Sequence, residues 1–344
     1  MEQREKSSRP QGTARDEPSD NAAATPGRSI AHTAMAEKVK HKIRKELLYY
    51  CAVVLLAVAR VIPARAIFAI GTCGGWCAYY LLRRERRRAL ANLALAYGQE
   101  KSATERIRIA RAVFVNLGRN LSELALYPRL DDAHFSRLVT MEGRETIDRE
   151  LRKGKGILII TGHIGNWELF PSFIIASGYS GGVVARRAYY EKYERLLLGL
   201  RRSKGFRVFY RDESPKEVLR TLRNNEIIGI LADQDVRKLD GVFVDFFGIP
   251  AYTPTAPVLI AAKSGAALIP ARIVREGRRH RICIEEPIVL RATGDRESDL
   301  LYNTQQWSDC IERYIRAHPE QWVWMHRRWR TRPEDVAGRK APGT

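Results

Sequence analysis

The sequence lacks the marks of several protein classes. None of its five cysteines (Cys51, Cys73, Cys77, Cys283, Cys310) forms a CxxC pair or an even, regular framework. That argues for a reducing compartment and against a structural zinc site or a disulfide scaffold. No HExxH motif is present, and no serine or cysteine sits at a nucleophile elbow. The first unbroken apolar run, residues 47–59, has 13 residues. As a helix it covers about 20 Å, short of the roughly 30 Å hydrocarbon core of a bilayer. No basic segment leads into an early apolar run, so no secretory signal peptide is expected. No repeat of solenoid period occurs. Acidic residues are also in deficit: 39 Asp+Glu face 59 Lys+Arg in 344 residues, a formal charge of +20 and a sequence pI near 10.0.

Such a surplus points to an anionic partner, whether nucleic acid, a membrane surface or an acidic protein. Its distribution narrows the choice. Residues 1–35 carry five basic and five acidic side chains and are rich in Ser, Pro, Ala and Gly, so they are expected to be a disordered tail rather than a basic nucleic-acid arm. Residues 36–66 carry seven basic and two acidic groups, and Arg83, Arg84, Arg86, Arg87 and Arg88 are interrupted only by Glu85. These two clusters bracket an apolar stretch, 47–82, whose only charges are Arg60 and Arg65. We expect 36–82 to anchor the chain to a membrane, spanning or monotopic, the alternative being a buried helix pair. A third cluster, His326-Arg-Arg-Trp-Arg-Thr-Arg332, mixes cations with tryptophan. No nucleic-acid recognition motif accompanies the charge.

Hydrophobic residues make up 45% of the chain and charged residues 28%, which excludes global disorder and a polytopic transporter. Residues 89–127 read as helical, broken at Gly98, with Ser102-Ala-Thr-Glu105 spaced as a capping box. From residue 154 the pattern changes. Ile157-Leu-Ile-Ile-Thr161 is a short β-branched run of the kind buried on both faces of a sheet. Further strands are expected at 182–185, 207–210, 227–232, 268–274 and 280–285. Helices are expected at 167–176, 190–204, 215–225, 254–264 and 298–317, the fourth with Thr253 as N-cap and Pro254 at its first position. Strands alternating with helices define an α/β domain, here over 83–335, with a largely parallel mixed sheet flanked by helices. Residues 336–344 are expected to be a second disordered tail.

The segment Thr161-Gly-His-Ile-Gly-Asn-Trp-Glu-Leu-Phe170 follows a buried strand and runs into a helix. Ligands of open α/β sheets sit beyond the carboxyl ends of strands, so His163 stands where chemistry is usually done. Five positions separate His163 from Glu168. They can meet if His163 lies in the turn and Glu168 in the first turns of the helix, and the carboxylate would then fix the imidazole tautomer. With no nucleophile beside it, His163 reads as a general base acting on a substrate hydroxyl, without a covalent enzyme intermediate.

These residues resemble those of the bacterial lipid A biosynthesis acyltransferases of the late lauroyl/myristoyl type, within the wider glycerolipid acyltransferase superfamily. His163-Ile-Gly-Asn-Trp-Glu168 looks like the HX4(D/E) motif. Leu231-Ala-Asp-Gln-Asp235 with residues 241–251 looks like the central block, and residues 318–333 look like the C-terminal stretch. The resemblance covers about residues 40–335 and leaves out the N-terminal tail. It implies His163 as base and Glu168 as its partner. It implies Asp233, Asn166 and either Arg201 or Arg202 as substrate-binding or oxyanion-supporting groups. It implies no metal and no cofactor. Its expected donor is acyl carrier protein, its acceptor an anionic glycolipid hydroxyl, and its place the cytoplasmic side of the bacterial inner membrane. An acyl-CoA-dependent enzyme acting on another glycolipid, such as phosphatidylinositol mannoside, is the alternative. Trp322, Trp324 and Trp329 with Arg327, Arg328 and Arg330 read either as an interfacial belt or as a segment packed on the core. Phe243, Phe246 and Phe247 read as an acyl pocket lining or as a core strand.

Overall fold

The computed structural model describes residues 43, 45–47, 49–188, 190–211, 215–236 and 239–336. The expected disordered tail 1–35, the start of the expected membrane-anchor region (36–42) and residues 337–344 lie outside them. Residues 1–50 and 51–344 form two units. In the first, the described residues are helical.

The second unit opens with a helical stretch at 51–58. It continues with α1 (Ala64–Leu81), α2 (Arg83–Tyr97), α3 (Ala103–Leu126), α4 (Asp132–Leu138), β1 (Val139–Glu142), α5 (Arg144–Leu151), β2 (Ile157–Thr161), α6 (Leu169–Ala176) and β3 (Gly181–Ala185). Then come α7 (Glu191–Arg202), β4 (Arg207–Tyr210), α8 (Pro215–Arg223), β5 (Ile227–Leu231), β6 (Gly241–Phe246), β7 (Ile249–Pro254), α9 (Ala256–Ser264), β8 (Ala267–Glu276), β9 (Arg279–Ile284), α10 (Arg296–Ala317) and α11 (Pro333–Val336). Seven strands form one sheet in the order β1-β9-β8-β2-β5-β3-β4. Every neighbouring pair is parallel except β8–β9. This is the expected α/β architecture with a largely parallel mixed sheet.

All five residues of β2 are buried, because helices cover both faces of the sheet. Ile157, Ile159 and Ile227 pack with Phe170, Phe173 and Ile174 of α6. On the other face Leu158, Ile160 and Ile228 pack with Val218 and Leu222 of α8, Val258 of α9 and Trp307 of α10. Burial of each such side chain contributes about 1.5–3 kcal/mol.

Strands β6 and β7 form a separate antiparallel hairpin. Phe246 and Phe247 are buried in the core beside Trp322 and Trp324, which decides for the core reading of that segment. Thr253 and Pro254 do not start a helix as expected. They close β7, with Pro254 opposite Gly241, and the N-cap of α9 is Thr255. The Thr253 hydroxyl instead accepts from Nη2 of Arg328 at 2.6 Å. The interfacial-belt reading of the C-terminal stretch is overturned for Trp322, Trp324 and Arg328, which are buried in the core; Trp329 is half-buried, and Arg327 and Arg330 are exposed.

Among the N-terminal helices, α3 starts at the expected capping box, with Ser102 Oγ accepting from the Glu105 amide. Helix α1 crosses α3 on a glycine contact. A Cβ on Gly75 would lie 2.3 Å from the Phe114 carbonyl oxygen, and one on Gly118 would lie 2.0 Å from that of Gly71. Ser122 Oγ donates to the Ile67 carbonyl across the crossing at 2.8 Å. Among the described residues no helix is long and apolar enough to cross a membrane. Trp76, Tyr80, Leu81 and Leu82 are nevertheless exposed, beside exposed Arg83, Arg84 and Arg87. We expect Gly118→Val to force the two helices apart and to lower unfolding stability by about 3 kcal/mol; an unchanged denaturant midpoint would show that the crossing does not depend on glycine.

Candidate active site

Strand β2 delivers His163 two residues past its carboxyl end. Its neighbour β5 is parallel and in register, Thr161 opposite Leu231, so it delivers Asp233 to the same level. Asp233 grips residue 163 twice. Its Oδ2 accepts from the His163 backbone amide at 2.8 Å, and its Oδ1 lies 2.7 Å from Nδ1 of the ring. Gly162 permits the approach, since a Cβ there would stand 3.1 Å from Oδ2. The Trp322 indole also donates to Oδ2, at 2.7 Å. Burial alone would raise the Asp233 pKa, but the charge and hydrogen bonds of His163 outweigh it and hold the carboxyl well below the usual range. An ionised carboxylate only accepts, so Nδ1 carries the proton and Nε2 is left as the basic nitrogen.

The expected partner was Glu168, and here the structure corrects the reading. Glu168 is engaged by Arg201 through both arms of its guanidinium, Nε to Oε2 at 3.0 Å and Nη2 to Oε1 at 2.7 Å. The reason is geometric. Glu168 lies just ahead of the first turn of α6, as its N-cap, and its carboxylate meets Arg201 near the end of α7, while Nδ1 of His163 is taken by Asp233. Of the two candidate arginines, Arg201 makes this contact and lines the cleft half-buried, whereas Arg202 is exposed. Asn166 is also corrected. Its amide points away from the cleft and donates to Glu123 Oε2 at 2.6 Å.

Glu123 belongs to a buried cluster that sequence reading missed. Arg275 donates to Oε1 at 2.5 Å and to Oε2 at 2.7 Å, and His280 Nε2 lies 3.0 Å from Oε1. Asn120 accepts from Arg275 and donates to the Gly165 carbonyl. The cluster thus ties the loop after His163 to α3 and β8. Gly165 is required there: its φ is +59°, and a Cβ would lie 2.1 Å from the Ile273 carbonyl oxygen. Burial opposes ionisation of Glu123, but His280 and then Arg275 prevail and hold its pKa down at about 2.

Two further residues at the site also went unread. The Gln234 amide nitrogen lies 3.1 Å from His163 Nε2 and 3.1 Å from His326 Nε2. Burial, then the charge of His163, pushes the His326 pKa down to about 4, so this ring is neutral at pH 7 and able to accept. Around the pair opens a cleft of about 1330 Å³ with apolar walls and six arginines: Arg88, Arg186, Arg201, Arg211, Arg327 and Arg330. A basic nitrogen, oriented by a buried carboxylate at the end of a parallel strand and set in an apolar, cation-rimmed cleft, is suited to taking a proton from a hydroxyl of an amphiphilic, anionic substrate.

That site is of the kind acyltransferases use on lipids, and comparison with known proteins bears out the class. A family model described as bacterial lipid A biosynthesis acyltransferase matches residues 35–331. The chain belongs to that family and is an acyltransferase. It is 29% identical over 218 residues to the phosphatidylinositol mannoside acyltransferase of Mycobacterium tuberculosis, covering 62% of this chain and 67% of that one. It is 26% identical over 282 residues to the lipid A biosynthesis lauroyltransferase of Escherichia coli, covering 81% of this chain and 90% of that one. A solved structure, the 1-acyl-sn-glycerophosphate acyltransferase of Thermotoga maritima, aligns with a TM-score of 0.33 at 16% identity, over 68% of this chain and 98% of that one.

The Glu123 cluster yields a pH-dependent expectation. Because its folded pKa lies below the ordinary carboxylate value of 4.5, Glu123 contributes stability that is present above pH 4.5 and lost as pH falls through about 2. Glu123→Gln should destabilise the protein at pH 7 by about 3 kcal/mol. In denaturant titrations the gap to the parent protein should shrink between those two pH values; a gap independent of pH would refute the ionised form.

Proposed function

We propose that this acyltransferase moves a fatty acyl chain from acyl carrier protein to a hydroxyl of a lipid A precursor, with His163 as general base, on the cytoplasmic face of a bacterial inner membrane. The observation that carries the mechanism is the Asp233–His163 contact at 2.7 Å, which leaves Nε2 to act. Nε2 takes the acceptor hydroxyl proton as the oxygen forms its bond to the thioester carbonyl carbon. The tetrahedral intermediate collapses with cleavage of the carbon–sulfur bond, and the departing thiolate recovers the proton from Nε2. No acyl-enzyme is needed. Displaced from Nε2 by the acceptor, the Gln234 amide becomes a donor for the oxyanion. Arg201 holds Glu168 and shapes the cleft wall rather than binding the oxyanion.

Arg88, Arg186 and Arg327 of the cleft suit phosphates on an acceptor and the acidic surface of a carrier protein. Trp76, Tyr80, Leu81 and Leu82, with the adjoining arginines, suit the headgroup region of an anionic membrane. The mycobacterial relative favours a second reading, an acyl-CoA donor with a phosphatidylinositol mannoside acceptor. Purified enzyme offered both donors with both acceptors separates the two, and acceptance of acyl-CoA with the mannoside alone would overturn the first.

The base assignment is tested in the same assay. His163→Ala and Asp233→Asn should each lower kcat on the order of 10² to 10⁴-fold without loss of folding. Near-normal turnover in either variant would contradict the mechanism.

A further inference from the structure

Three glycines, Gly181, Gly182 and Gly229, line the cleft within strands. A glycine inside a strand is unfavourable and calls for a reason. At two of them the backbone supplies it. A Cβ on Gly181 would lie 1.8 Å from the Ile227 carbonyl oxygen, and one on Gly182 would lie 2.4 Å from that of Arg207. Gly229 is different. Its Cβ would meet only Val183 Cγ1, at 3.5 Å, and the Gly182 carbonyl oxygen, at 3.9 Å, both ordinary contacts. Nothing in the protein itself forbids a side chain at the middle of β5, where its neighbours in the strand are isoleucines.

The place of Gly229 gives the reason. It stands in register between Ile159 of β2 and Val183 of β3, and all three line the cleft. Alternation along β5 puts Ile227, Gly229 and Leu231 on the face covered by α6. Leu231, level with Thr161, stands near His163, while Ile227 lies deeper, level with Gly181. The arm between this face and Ile174 and Ile175 of α6 therefore runs about 13 Å inward from the site, with Gly229 midway along its floor.

We propose that Gly229 sets the length of acyl chain this enzyme accepts, by leaving the floor of this apolar arm open so that a straight saturated chain can pass beneath α6 to the level of Ile227. The assignment rests on the acyl-transfer reading and adds to it the residue that determines chain specificity. A side chain at 229 would stop the chain between Ile159 and Val183.

The test uses Gly229→Ala and Gly229→Val in the full chain. Both should fold, and their Tm should equal or exceed that of the parent, since either residue suits a strand better than glycine. Binding of a homologous series of saturated fatty acids is measured by calorimetry. In the parent, affinity should rise about fourfold for each added methylene until the arm is full. In Gly229→Val the rise should end about five methylenes earlier, the length of chain held by the inner half of the arm, and in Gly229→Ala it should end between the parent and Gly229→Val, with affinities for shorter chains unchanged. The same break point in parent and variants, a uniform weakening at all lengths, or no fatty acid binding by the parent would each overturn the proposal. Binding is read without turnover, so failure to transfer acyl groups from either thioester donor would count against the proposed function while the break point still decides the role of Gly229.

Discussion

The site depends on one carboxylate. Asp233 fixes both the backbone and the ring of residue 163, and the Trp322 indole fixes Asp233 in turn. A buried carboxylate with a single donor would be driven toward its neutral form; with three it stays charged. The charge then dictates which imidazole nitrogen carries the proton. Local order around the site, the tautomer that leaves Nε2 unprotonated and the burial of the C-terminal tryptophans are consequences of the same set of bonds. The C-terminal stretch therefore belongs to the active site although it stands some 160 residues from His163 in sequence.

Around that carboxylate the fold separates two tasks. The parallel strands β2 and β5 bring the pair together at their carboxyl ends, where backbone ladders hold both to their level. The Glu123–Arg275–His280 cluster then pins the loop that follows, through Asn166 and the Gly165 carbonyl. Glu168 and Arg201 form a second ion pair on the cleft wall, which joins the start of α6 to the end of α7. Four charged groups that sequence would place in one catalytic machine are thus divided between orienting the base and bracing the wall.

Much of the fold was legible in the chain, and the reasons are local. The β-branched runs at 157–161 and 227–231 and the capping box at Ser102 are strong short-range signals, and each element lies where expected within a residue or two. The hairpin boundary at Thr253 was misread because a threonine–proline pair serves equally to open a helix or to close a strand. The partner of His163 was misread because proximity in sequence stood in for proximity in space. Glu168 is five residues away, whereas Asp233 is adjacent only once two parallel strands are in register. That register was available in principle, since both residues lie two positions past the end of a buried run. Gln234 and His326 lie inside two stretches that carry the family resemblance, but nothing local marks either as a site residue, and the Glu123 cluster gives no sequence signal, because long-range packing alone brings these groups together.

The most direct measurement of the central interaction is NMR of enzyme labelled with ¹⁵N in its histidine rings. The account predicts a downfield Nδ1–H proton resonance from His163, assigned by its absence in His163→Ala. It should persist in Glu168→Gln and vanish in Asp233→Asn. Survival of that resonance without Asp233, together with its loss in Glu168→Gln, would return the role to Glu168 and contradict the account.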